Sequence, residues 1–143
     1  MMLLDRAVRA EVYRLLAAGV DTVDAAVLSG AGGWDRPDVE LSLERLQAGH
    51  RLALVEGTHQ IAMAHPFSGT ASAYLARIGD RSWFANCAWD ALAIVAMLGD
   101  GEGRAIGRGG EIEWAIDHGV VSPNGIVHLV VPAARFWDDI GFT

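Results

Sequence analysis

Cys87 and Asp90 stand three residues apart in the stretch Asn86-Cys87-Ala88-Trp89-Asp90, and Cys87 is the single cysteine of the chain. Residues three apart on a helix are neighbours in space, so a helical turn here places a thiol and a carboxylate on one face. Such a pair binds a soft metal or moves a proton. The apolar run Ala91 to Leu98 follows and Gly99 closes it, which predicts a helix with Cys87 at or just before its N-terminus. Unpaired backbone NH groups and the helix dipole favour negative charge there, so a thiolate-prone sulfur is expected. A plainer reading stands beside this one. A free cysteine packs readily as a small apolar residue, and an aspartate in a first helical turn simply complements the dipole.

The elements that must position this pair begin with helices. From Asp5 to Ala18 the residues Val8, Val12, Leu15 and Leu16 recur at helical spacing, and Gly19 supplies the stop. A short second helix, about Val23 to Ser29, is capped by Asp21 or Thr22 and ends in the turn at Gly30, Gly32 and Gly33. Asp35 and Pro37 start a third, which carries Val39, Leu43 and Leu46 and stops at Gly49. Arg51 to Glu56 and Gln60 to Ala64, joined at Gly57 and Thr58, read as a hairpin. Three helices and a hairpin outline a winged helix, for which DNA binding through the third helix and a packing or dimerisation role are the two readings. Asp38, Glu40 and Glu44 against Arg45 alone give the helix from Asp38 to Ala48 the wrong sign for phosphates.

At His65-Pro66-Phe67-Ser68 the chain changes style. Pro66 ends the hairpin and a linker of small residues follows, which sets the expected domain boundary at 1–64 and 65–143. Ala71 to Ile78 then reads as a strand, Gly79 and Asp80 as a tight turn, and Arg81 to Ala85 as the partner strand that delivers the chain to Cys87. Beyond the Cys87 helix, Asp100 to Gly110 holds five glycines around a possible short strand, Arg104 to Arg108. Gly99, Gly101 and Gly103 follow a helix rather than a strand, so they make a poor phosphate cradle. Glu111 to Asp117 alternates as a half-buried strand, Ser122 to Gly125 is a turn, and Ile126 to Val131 reads as another strand. Pro132 opens a final helix, about Ala133 to Ile140. The expected class is α+β: a winged-helix-like N-terminal part followed by a mixed β-sheet core with helices.

Composition narrows the functions further. A chain of 143 residues is long enough for an independent core. Eighteen acidic residues against 11 basic ones leave a net charge of -7, which disfavours nucleic acid as a partner. One cysteine forms no internal disulfide, and Met1 to Leu4 is too short for a signal segment, so a reducing cytoplasm is the expected location. The longest apolar stretch, Ala85 to Leu98, is broken by Asn86 and Asp90, so no membrane span is expected. His50, His59, His65, His118 and His128 show no zinc-type spacing and read as surface or turn residues. No Cys-His triad follows from such scattered positions.

The segment Ala64 to Leu98, with HPFS, then a hairpin, then NCAWDAL, resembles the alkylmercury lyases, or organomercurial lyases. These bacterial enzymes have a winged-helix-like N-terminal part, the PFS segment, and a Cys-Ala-x-Asp signature at the start of a helix. The closing segment Pro132 to Thr143 also looks like the family's lead-in to its last cysteine. The resemblance implies protonolysis of a carbon to mercury bond. Cys87 would be the attacking thiolate and metal ligand, and Asp90 the proton shuttle and oxygen ligand. Phe67, Trp83 and Trp89 would line an apolar pocket for the organic group. The implied partner is a small organomercurial or another soft-metal ligand, and no cofactor is implied, because mercury is substrate or product ion.

The family uses a second active-site cysteine soon after a segment like Phe136 to Thr143, and this sequence has none. A shortened form and a diverged member both fit that difference, and weak or absent turnover is expected of this chain. Two other functions remain: a non-catalytic heavy-metal or thiol-ligand binding module, and a winged-helix regulator with an effector domain.

Overall fold

The computed structural model describes residues 2–140. Met1 and residues 141–143, the end of the closing segment compared with the family above, lie outside the described residues. Helix α1 (Leu3–Ala17) buries Val8, Val12, Leu15 and Leu16 along one stripe. Helix α2 (Ala25–Gly32) is capped by Asp24, whose Oδ1 accepts the Val27 NH at 2.8 Å, rather than by Asp21 or Thr22. Helix α3 (Arg36–Ala48) has Pro37 in its first turn and buries Val39, Ser42, Leu43 and Leu46. One ionic junction ties α1 to α3. Asp5, almost fully buried, accepts from Ser42 Oγ at 2.9 Å and from Arg45 Nη2 at 2.7 Å.

Strands β1 (Ala53–Leu54), β2 (Ile61–Ala64), β3 (Phe67–Ser68), β4 (Tyr74–Ile78), β5 (Arg81–Ala85), β6 (Gly101–Gly107), β7 (Gly110–Asp117) and β8 (Val120–Ser122) form one sheet, in the order β1-β2-β3-β5-β4-β6-β7-β8. Helix α4 (Ala88–Leu98) joins β5 to β6 and packs Ala91, Ile94 and Val95 into the core. The fold is α+β, as expected, but the sheet is not mixed. Every pairing among the described strands is antiparallel. The α4 crossover does run β5 and β6 in the same direction, yet β4 lies between them and pairs with both, so no parallel neighbours arise.

Three local expectations need correction. Residues 67–68, read as linker, form a short strand that links β2 to β5 in one sheet. Ile126 to Val131 forms no strand. His118 and Gly119, at positive φ of 47° and 76°, reverse the chain early, so Val120–Ser122 occupies the free edge of β7 instead. The final helix is a 3-10 helix over Ala133–Asp138, where the Trp137 ring stacks on His50 at 4.5 Å between centroids.

The Trp83 indole Nε1 donates to the Leu16 carbonyl at 2.9 Å in the core, joining β5 to the end of α1. Gly103 lies on the same face of the sheet, since Ala76 pairs with both Trp83 and Gly103, and Gly103 in turn pairs with Trp114. A Cβ there would run into the Leu75 carbonyl and the Trp114 ring, so only glycine lets that ring lie across β6. Among the described residues, no helix is long and apolar enough to cross a membrane.

Candidate active site

The β5 strand ends at Ala85, and the chain turns through Asn86 into α4. Cys87 is the N-cap, with extended backbone angles (φ -152°, ψ 178°). Its Sγ accepts the Asp90 NH at 3.5 Å. Serine, threonine or aspartate is the usual residue at this position, and sulfur is a weaker acceptor. The spacing of two intervening residues therefore does place Cys87 and Asp90 on one helical turn. Asp90 is 8% exposed, and its burial next to an N-cap sulfur goes beyond what dipole compensation needs.

The electrostatics differ from the expected thiolate-prone sulfur. Burial pushes the Cys87 thiol above its ordinary range; the Asp90 backbone NH opposes this, and the Asp90 carboxylate adds to the upward push. One turn of helix NH groups does not outweigh loss of water together with a neighbouring negative charge. The resting sulfur is a thiol.

Two residues outside the expected pair complete the cluster. His65, between β2 and β3, places Nδ1 at 3.0 Å from Asp90 Oδ2. Asn86 Nδ2 lies 3.0 Å from the same oxygen, and 3.2 Å and 3.3 Å from the carbonyls of Phe67 and Pro66. His65 was read above as a surface or turn residue, because a contact 25 positions along the chain leaves no periodic trace. The sole sequence signal was the order of HPFS before NCAWD.

Cys87 opens on a cavity of about 760 Å³, lined mainly by apolar groups that include Tyr74, Leu92, Ile106, Ile112 and Trp114. His128 and Val130 come to it from the segment expected to be a strand. The three aromatic residues assigned to the pocket lie elsewhere. Phe67 and Trp83 are core residues, 2% and 7% exposed, bordering a separate cleft of about 390 Å³, and Trp89 is 61% exposed. Strand alternation explains Trp83: it shares the inward face with Ala85, and its ring turns toward α1. In α4, Trp89 falls on the solvent side of the turn that buries Asp90 and Ala91. The cavity aromatics are Tyr74 and Trp114, from β4 and β7, and Phe136 from the closing 3-10 helix.

The sequence model of the alkylmercury lyase family matches residues 67–140, which hold Cys87, Asp90 and most of the cavity lining. The chain belongs to the alkylmercury lyase family. A solved structure, the mercury-bound form of MerB2, superposes with a TM-score of 0.68 at 18% identity, covering 85% of this chain. The chain spans 60% of the length of that protein, and at this identity the likeness speaks for the fold. Comparison with curated proteins found no match. In this member of the alkylmercury lyase family, the Cys-Ala-x-Asp signature is the N-cap and first turn of α4, and PFS is the β3 segment beside it.

Proposed function

We propose that the chain binds an organomercurial through Cys87 and, where it turns over, protonates the mercury-bound carbon from Asp90. The observation that carries this reading is a buried carboxylate on the same helical turn as a thiol that opens on an apolar cavity, within a chain of this family. Mercury is soft and prefers sulfur. The Cys87 thiol displaces the weaker ligand of R-Hg-X, a sulfur to mercury bond forms, and the thiol proton passes to Asp90. Asp90 then returns that proton to the carbon. The carbon to mercury bond breaks, its electron pair takes the proton to give R-H, and the mercuric ion stays on sulfur with the Asp90 carboxylate as an oxygen ligand. A thiol protonated at rest suits this sequence, because it brings the proton that the carbon later receives.

Within residues 1–143 Cys87 is the single thiol, so binding without brisk turnover is the expected behaviour of this sequence. Incubation with phenylmercuric acetate and excess free thiol, followed by detection of benzene, measures turnover; mercury titration measures binding. Cys87→Ser should abolish binding. A serine variant that binds mercury as tightly as the parent would overturn the reading, and rapid benzene release lost in Cys87→Ser would show that one cysteine suffices.

The three helices with β1 and β2 support a winged-helix-like N-terminal part with a packing role, divided from the catalytic part near residue 65. Helix α3 carries Asp38, Glu40 and Glu44 against Arg36 and Arg45, and Arg36 is paired with Glu40 and Arg45 with Asp5, so no free basic group on it faces a phosphate. A gel shift with duplex DNA at low salt should show no complex.

A further inference from the structure

We infer that His65 and Asn86 are positioning residues that grip one oxygen of the Asp90 carboxylate, so that the other is presented to Cys87 and to the cargo on its sulfur. The inference rests on the function proposed above and assigns two residues outside the signature to it. Both hydrogen bonds fall on Oδ2: His65 Nδ1 at 3.0 Å and Asn86 Nδ2 at 3.0 Å. Neither falls on Oδ1.

The orientation of the Asn86 amide follows from its other neighbours. Reversing the amide would set its oxygen against the carbonyls of Pro66 and Phe67 as well as against a carboxylate oxygen, so the NH2 group must face them. Its Oδ1 is buried without a hydrogen-bond partner, a cost the site bears to keep this direction. The Asp90 contact decides His65: a carboxylate oxygen 3.0 Å from Nδ1 accepts, so Nδ1 carries the hydrogen, and Asn86 Nδ2 at 3.3 Å is a neighbour of the ring rather than a donor to it. That fixes the imidazole tautomer with Nδ1 protonated.

The grip matters because the Asp90 side chain has a broad terminal torsion, and a single donor would leave its plane free to turn. Two donors from different directions, one of them anchored in the β2 to β3 turn, set that plane. Groups that orient metal ligands in this way typically alter affinity by roughly 10–100-fold when removed.

Two measurements on the full chain test this. Long-range proton-nitrogen spectra at pH 8, without mercury, should show His65 protonated on Nδ1, reverting to the Nε2 form in Asp90→Ala. Methylmercury chloride competed against a free thiol should bind roughly 10–100-fold more weakly to His65→Ala and Asn86→Ala. His65→Asn, which keeps an NH near the place of Nδ1, should recover most of that loss; a ring needed only for packing would not be replaced this way. The proposal is overturned by an Nε2 tautomer in the parent. It is equally overturned if both alanine variants bind as the parent does while Asp90→Ala is weakened. Parent-like binding by both Cys87→Ser and Asp90→Ala would instead refute the mercury reading, and the tautomer would still decide whether the grip exists. Should an alanine variant fail to fold, the spectra and His65→Asn carry the test.

Discussion

The NH of Asp90 caps back onto the sulfur of Cys87 at 3.5 Å, so the two groups that could handle a carbon to mercury bond are fixed to each other by the first turn of one helix. Geometry this local survives most changes elsewhere, whereas the charge state of the sulfur depends on everything packed around it.

That charge state is open to titration. Burial and the Asp90 carboxylate hold the Cys87 thiol above its ordinary range, so the rate of alkylation by iodoacetamide should rise with a midpoint above that of a free cysteine. Asp90→Asn should lower the midpoint by removing the negative neighbour. The folded thiol keeps its proton more tightly than the unfolded one, so its contribution to stability is present below the unfolded value and is lost as pH rises toward the folded one. A midpoint at or below the free-thiol range would contradict the burial described here.

Acid should find the junction between α1 and α3. Asp5 is held at about 2, chiefly by the Arg45 guanidinium, with Met2 NH and Ser42 adding to the effect against desolvation. A depressed carboxylate stabilises above its unfolded value, and this contribution disappears as pH falls from about 4 to about 2. Urea unfolding of the parent across that interval should show the loss, and Asp5→Asn should remove the pH dependence while costing about 1–3 kcal/mol at neutral pH. An unchanged acid limb in Asp5→Asn would place the acid sensitivity elsewhere.

Trp83 separates core from pocket. Trp83→Phe removes the hydrogen bond to the Leu16 carbonyl and leaves a buried acceptor without its partner, at a cost of about 1–3 kcal/mol in chemical denaturation. Methylmercury affinity should stay within about twofold of the parent, because the ring lies away from the Cys87 cavity. A large loss of affinity at unchanged stability would return Trp83 to the substrate pocket.

Gly103 is the corresponding probe of the cavity wall. Gly103→Ala forces the Trp114 ring or the Leu75 strand to move, which should cost about 1–3 kcal/mol and weaken binding of a bulky arylmercurial more than methylmercury. Equal effects on both ligands would mean that Trp114 does not shape the space for the organic group.

Features that depend on neighbours along the chain were legible in the residues. The stripe of Val8, Val12, Leu15 and Leu16, the hairpin of β4 and β5, and the Cys87 to Asp90 turn all depend on spacings of two to four residues, which helix and strand periodicity make readable. The remainder follows from contacts between segments far apart along the chain. His65 reaches Asp90 across 25 positions, β4 inserts between β5 and β6, and Trp83 rather than Trp114 turns away from the sulfur. Even the protonation of Cys87 came from outside its own segment, because desolvation is a property of what packs around a group and no local spacing encodes it.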